Sequence, residues 1–160
     1  MSPHAPPLRG SLPPRGADPA WGGPAPDRSP PHATVRWAGE SLHLLPDHAL
    51  WWPAGRTLLI ADLHLGKAAS YRALGQPVPA GTTDDNLGRL DGLIATHDPQ
   101  RLVFLGDFLH AASGRTAPVL QALSDWRNRH APIAMTLVRG NHDDRAGDPF
   151  WHQYFLVYCY

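Results

Sequence analysis

Cysteine is almost absent from this 160-residue chain, since Cys159 is the only one, and this excludes an internal disulfide and a cysteine-based zinc site. Net charge is absent as well: 14 Lys and Arg balance 14 Asp and Glu, so no overall field favours nucleic acid or a membrane. No run reaches the ~18 apolar residues of a membrane helix, and the N-terminus lacks the apolar core of a secretory signal. These absences predict a cytoplasmic protein without a membrane segment.

Proline is abundant but unevenly placed. Ten of the 18 prolines fall within residues 1–31, where glycine is also frequent. Proline lacks a backbone donor and glycine has a high ordering cost, so this stretch is a poor helix or strand former. We therefore predict a disordered tail over residues 1–32 and one domain over residues 33–160, with enough apolar residues (42%) for a buried core.

The central part of the chain alternates short apolar runs with helical patterns. Buried strands are predicted at residues 56–62, 101–105 and 133–138. Helices are predicted at residues 67–74, from Thr83 onward, and around residues 119–126. Because strand and helix alternate, we expect right-handed crossovers and a parallel sheet, which is an α/β fold. Three shorter strands, at residues 34–37, 42–45 and 49–52, precede this unit.

Each buried strand ends in polar residues. The three endings are Asp62-Leu63-His64, Gly106-Asp107 and Arg139-Gly140-Asn141-His142-Asp143. Loops at the carboxyl ends of parallel strands share one edge of the sheet, which is where open α/β sheets bind ligands. We therefore expect these three segments to meet there, with Gly106 and Gly140 allowing sharp turns and close backbone approach.

The side chains at this edge are typical of a metal site. Carboxylate, imidazole and amide ligands suit Mn²⁺, Fe or Zn²⁺. Alternation along the strand places Asp62 and His64 on one side, Asp107 has two oxygens with which to bridge two ions, and Asn141 offers a neutral oxygen. Two ions ~3.5–4 Å apart clamp a phosphate and activate a bridging water.

Four further residues are candidates for catalysis or substrate binding. His142 is placed to protonate a leaving oxygen, and Asp143 to orient its ring. His110, three residues after Asp107, and Arg139, with its planar fork, are candidate phosphate contacts. For His110 and Arg139 a solvent-facing structural role is an equally good interpretation.

The three motifs D-x-H, G-D and G-N-H-[DE] occur in the order that resembles the calcineurin-like metallophosphoesterase superfamily. The resemblance implies a β-sandwich flanked by helices and a dinuclear centre, with Mn²⁺ as the metal and Fe or Zn²⁺ as alternatives. In that centre Asp62 and His64 hold one ion, Asp107 bridges, Asn141 holds the second ion, and His142 is catalytic.

Residues 45–149, including LLIADLHLGK, LVFLGDFLH and LVRGNHDDRAGDP, resemble a narrower group: the bacterial ligase-associated DNA damage response endonucleases. This resemblance implies a DNA substrate, a role in DNA repair, and a DNA ligase and a helicase as partners.

The superfamily pattern continues with further histidines that end in G-H-x-H, whereas His152 is the only histidine after His142. We therefore predict a C-terminally incomplete domain. The first sheet and its crossover helices are expected to be present, and the second sheet to be largely missing. Two alternatives follow: an impaired fragment that only binds metal or a repair partner, and a phosphatase that acts on small phosphoesters.

Overall fold

A computed structural model describes residues 32–78, 81–147 and 155–158. The predicted tail lies outside these ranges, apart from His32. Within the described residues seven strands form one mixed sheet, in which the spatial order of the strands follows their order in the chain. The predicted α/β fold, with the first sheet and its helices present, is confirmed.

The first three strands form an antiparallel meander at one end of the sheet. They are β1 (Ala33–Trp37), β2 (Glu40–Leu45) and β3 (Ala49–Trp52). The meander pairs with the fourth strand, β4 (Thr57–Ile60), again antiparallel, with Leu50 opposite Leu59. The short strands predicted at the start of the chain therefore belong to the same layer as the central unit.

The other half of the sheet is parallel, as predicted. It contains β4, β5 (Arg101–Leu105), β6 (Ala134–Val138) and β7 (Leu156–Tyr158). Leu58 is in register with Leu102, and Leu102 with Met135. All four strands point the same way, so the loops that follow β4, β5 and β6 emerge at one edge.

The helices follow the predicted order. They are α1 (Lys67–Ala73), α2 (Thr82–His97), α3 (Ala117–Arg129) and α4 (Asn141–Ala146), with a short 3-10 helix at Ala112–Gly114. None of the helices in the described ranges is both long and apolar enough to cross a membrane.

Three short elements were not predicted: the 3-10 helix, helix α4 and strand β7. Helix α4 begins inside the Gly-Asn-His-Asp motif, where the sequence NHDDRA has no apolar periodicity that would indicate a helix. Strand β7 has three residues, and it forms because Leu156 aligns with Thr136 on the edge of β6.

One face of the sheet carries the core. Side chains that alternate along the parallel strands point to this face and pack against apolar residues of α2 and α3. The members that are at most 1% exposed include Leu58, Ile60, Leu102, Phe104, Leu137, Leu90 and Trp126. The opposite face is open in the described residues: Val35, Leu44, Leu105 and Leu156 share it and are 41–61% exposed.

A polar contact joins the two long helices beneath the core. Trp126 is fully buried, and its Nε1 donates to Asp91 Oδ1 over 2.7 Å, while His130 Nε2 lies 2.7 Å from the same oxygen. Burial alone would raise the pKa of Asp91, but the hydrogen bonds from His130 and Trp126 and the charges of His130 and Arg129 hold it below its ordinary value of 3.8. The carboxylate therefore favours the folded state when it is ionised.

We expect Asp91→Ala to lower the free energy of unfolding by about 1–3 kcal/mol, because the buried indole N–H of Trp126 loses its acceptor. Urea unfolding followed by tryptophan fluorescence measures this change. Because the pKa of Asp91 is lower in the folded state, the loss is full above pH 3.8 and shrinks as the pH falls through the lower folded value. Asp125→Ala, an exposed change on α3, is the control; an equal loss there would contradict the assignment.

Candidate metal centre

The loops that follow β4 and β5 run side by side beyond the ends of their strands. His64 N donates to Asp107 O over 2.8 Å, Leu65 N to Phe108 O over 2.8 Å, and His110 N to Leu65 O over 3.1 Å. These backbone bonds extend the parallel pairing of the strands past the sheet edge. As a result, the Asp-Leu-His and Gly-Asp motifs lie in direct contact.

Three candidate ligands share an unusual backbone conformation. Asp62, His64 and Asp107 have φ angles of 53°, 46° and 49°, in the left-handed region that residues other than glycine rarely adopt. Such conformations persist where the surrounding structure enforces them, and they cluster at functional sites. Here the bonds between the two loops enforce them, and the side chains turn toward one another.

Glycine allows the third loop to approach the second. A Cβ atom at Gly140 would lie 2.5 Å from Asp107 Oδ1 and 2.7 Å from Asp107 N, which no side chain tolerates. Gly106, with φ +84°, lies against the Cα of Gly140, where a Cβ would come within 3.2 Å. The predicted reason for Gly106 and Gly140, close backbone approach, therefore agrees with the geometry.

Asp143 fastens the same two loops, and it does so from a fully buried position. Its Oδ1 accepts a hydrogen bond from Leu109 N and its Oδ2 accepts one from Gly140 N, each over 2.9 Å. The expectation that Asp143 orients the ring of His142 needs correction, since His142 Nδ1 lies 2.8 Å from the carbonyl oxygen of His110. Both oxygens of Asp143 are engaged by the backbone instead.

The predicted ligands of the first ion come together. Asp62, His64 and Asp107 offer ligand atoms that all lie within 4.8 Å of one another. His64 Nε2 is 3.9 Å from Asp107 Oδ2, and Asp107 Oδ1 also receives the backbone N–H of His142 over 3.3 Å. A cation fits between a carboxylate and an imidazole at these separations.

Three imidazoles form an overlapping group. The ligand atoms of His64, His110 and His142 also lie within 4.8 Å of one another, and the rings of His110 and His142 stack with their centroids 5.3 Å apart. The Nδ1 atoms of His64 and His110 are buried without a hydrogen-bond partner among the described residues. Orphaned ring nitrogens beside carboxylates are the donor set that a divalent ion requires.

The pKa of His110 is lowered chiefly by burial and further by the charges of His64, His142 and Lys67, against the opposing charge of Asp107. The imidazole is therefore held neutral, the form that binds a metal ion or accepts a proton.

Asn141 and Arg139 are less directly placed. Asn141 begins α4 at the same edge and is exposed, so its ligand role stays a prediction. The guanidinium of Arg139 is 15% exposed and pairs with Asp144 Oδ1 over 3.0 Å. A phosphate would have to compete with that carboxylate, so the position of Arg139 favours its structural interpretation.

The calcineurin-like phosphoesterase family model matches residues 55–160, a range that contains all three motifs. The chain belongs to the calcineurin-like phosphoesterase family. A solved structure, the crystal structure of Pseudomonas putida nuclease MPE, is 45% identical with a TM-score of 0.70. The match covers 81% of this chain and 60% of that chain, so the chain described here spans less than two thirds of the nuclease. No curated protein matches this chain.

The motifs did not reveal every residue at the site. Lys67, Tyr71 and Arg89 line a cavity beside Asp62 and His64. Their types and spacing fit ordinary helix residues of α1 and α2, so only the tertiary structure brings them to the metal ligands.

We expect Mn²⁺ to raise the thermal stability of the protein, because a ligand that binds only the folded state stabilises it, by about 2.7 kcal/mol at 100 times the Kd. Differential scanning fluorimetry and calorimetric titration measure the effect. Asp107→Asn removes a charge from the ligand group of Asp62, His64 and Asp107 and should weaken Mn²⁺ binding, whereas the exposed Asp125→Asn should not. Equal binding by the two variants would argue against a site at Asp107.

We also expect Asp143→Ala to destabilise the fold by about 1–3 kcal/mol or more, because the buried N–H of Leu109 and the partly buried N–H of Gly140 both lose their acceptor. Urea unfolding measures the loss. Asp144→Ala removes only a surface ion pair with Arg139 and should cost at most about 1 kcal/mol. Comparable losses in the two variants would show that Asp143 does not fasten the loops.

Proposed function

We propose that this protein hydrolyses phosphodiester bonds in DNA with two divalent ions. Mn²⁺ is the metal that the family resemblance favours. The observation that carries the proposal is the convergence of Asp62, His64 and Asp107 within 4.8 Å at the carboxyl edge of the sheet. The family assignment and the 45% identity to a solved nuclease support this reading.

The proposed roles are those that the family resemblance implies. Asp62 and His64 would hold one ion, Asp107 would be shared between the two ions, and Asn141 would hold the second; the proximity of Asp62, His64 and Asp107 supports the first part of this assignment. When bound, the ions supply charge to the phosphate oxygens and lower the pKa of a water that attacks phosphorus. Asp107 Oδ1 accepts a hydrogen bond from the backbone N–H of His142 over 3.3 Å, so the proposed shared ligand and the proposed catalytic histidine are in direct contact.

His142 is the proposed proton donor to the leaving oxygen. Its Nδ1 lies 2.8 Å from the carbonyl oxygen of His110, and a carbonyl only accepts, so Nδ1 carries a proton. Nε2 is then the atom that acts at the substrate: on the neutral ring it can only accept a proton, and it donates one to the leaving oxygen from the doubly protonated imidazolium. His110 contributes a second imidazole toward the phosphate, and Asp143 acts as a positioning residue that fixes the loop carrying His142.

The substrate and the biological role rest on resemblance. The printed name of the Pseudomonas putida protein, a nuclease, supports a nucleic-acid substrate. The narrower resemblance to ligase-associated DNA damage response endonucleases supports DNA, a repair role, and a DNA ligase and a helicase as partners.

We expect Mn²⁺-dependent hydrolysis of bis(p-nitrophenyl) phosphate and of plasmid DNA, which stops with EDTA and returns with Mn²⁺. Asp107→Asn should lower kcat/KM by more than about 100-fold, because even changes behind the ligands cost about 10–100-fold. Asp125→Asn is the control. Absence of metal-dependent diester hydrolysis would refute the proposal, and faster cleavage of phosphomonoesters would favour a phosphatase of small esters.

A further inference from the structure

A cavity of about 860 Å³ opens directly beside the candidate metal centre. Asp62 and His64 form one wall, and residues of α1 and α2 form the others. Its volume lies in the range of ~300–1,000 Å³ that is typical of small-molecule sites, which is more room than a phosphate group needs.

The α1 wall presents a cation and an aromatic ring. Lys67 and Tyr71 both line the cavity and are four residues apart, so they lie on one face of the helix. Lys67 is exposed, and it is the only lysine in the chain. The centroid of the Tyr71 ring lies 5.5 Å from that of the His110 ring, so Tyr71 borders both the cavity and the group of three imidazoles.

The α2 wall presents a guanidinium that is only partly engaged. Arg89 donates from one terminal nitrogen to Asp47 O over 2.8 Å, while its Nε is buried without a hydrogen-bond partner among the described residues. Asn86 holds the back of the cavity by donating to Leu63 O over 3.1 Å. Asp85, an exposed carboxylate, lines the same wall and would repel an anion, so the cationic part of the cavity is the part formed by Lys67 and Arg89.

Apolar side chains complete the walls. Leu63, Ala68 and Val78 line the cavity between the charged groups. A cavity with an aromatic face, apolar sides and cations matches a nucleoside with its attached phosphate better than a bare phosphate or a small sugar ester.

We propose that this cavity is the subsite for the nucleotide next to the scissile phosphate, with Tyr71 stacking on its base and Lys67 and Arg89 meeting its other phosphate. This inference rests on the proposed function, since it places the nucleotide beside the same metal centre. It predicts that the enzyme distinguishes nucleotide diesters from simple diesters through α1 and α2.

The test compares two substrates. For each variant, kcat/KM is measured on a fluorescein-labelled oligothymidine and on bis(p-nitrophenyl) phosphate, which has no nucleoside. Tyr71→Leu and Lys67→Gln should each lower the ratio of the two kcat/KM values about tenfold, whereas Tyr71→Phe should keep the wild-type ratio because stacking needs only the ring. Trp37→Leu and Arg101→Gln, exposed changes on β1 and at the start of β5, should leave the ratio unchanged.

A second readout does not depend on turnover. In an Asp107→Asn background, fluorescence anisotropy of the labelled oligothymidine should show a Kd about tenfold higher with Tyr71→Leu. An unchanged ratio and an unchanged Kd would overturn the subsite, as would equal losses in Tyr71→Phe and Tyr71→Leu. If Tyr71→Leu does not fold, the exposed Lys67→Gln still tests the subsite through the ratio of the two kcat/KM values. A wild-type enzyme without diester hydrolysis refutes the proposed function, while anisotropy still tests the subsite.

Discussion

The candidate centre depends on one buried carboxylate that bonds to two separate loops. Asp143 is inaccessible to solvent, yet it receives the backbone N–H groups of Leu109 and Gly140. Burial of an ionised group is costly unless hydrogen bonds compensate, so this carboxylate is stable only while both loops keep their positions. The contact between Asp107, on one loop, and His142, on the other, likewise needs both loops to keep these positions.

Around Asp143 the backbone conformation allows the loops that carry the candidate ligands to lie close together. The left-handed conformations of Asp62, His64 and Asp107 are unfavourable for residues that carry a side chain. Gly106 and Gly140 lack the Cβ atoms that would keep the loops apart. The cost of these conformations is met by the parallel strands, whose core of leucine and phenylalanine fixes where each loop begins. The sheet therefore holds the ligand residues in these unfavourable conformations, and the long helices cover one face of the sheet.

Much of this arrangement was predictable, because the signals were local. The apolar runs of β4, β5 and β6 indicated buried strands, and parallel pairing brings their polar endings to one edge. Helix α4 and strand β7 were not predictable, since a helix of five polar residues and one alanine, and a strand of three residues at the sheet edge, are too short to show periodicity. The partners of Asp143 and Arg139 also depend on distant parts of the chain. Asp143 was expected to orient the ring of His142, but its oxygens accept backbone N–H groups of two loops. For Arg139, which had both a phosphate-binding and a structural interpretation, the structure shows an ion pair with Asp144. Lys67, Tyr71 and Arg89 lie near the ligands only through the packing of α1 and α2.

The scarcity of lysine has a practical consequence for spectroscopy. Because the ε-amine of Lys67 is exposed and is the only one in the chain, an amine-reactive fluorophore has a single side-chain target. That target lies at the wall of the cavity beside Asp62 and His64. One conjugation step, with no engineered thiol, would thus place an optical reporter where metal or nucleotide enters.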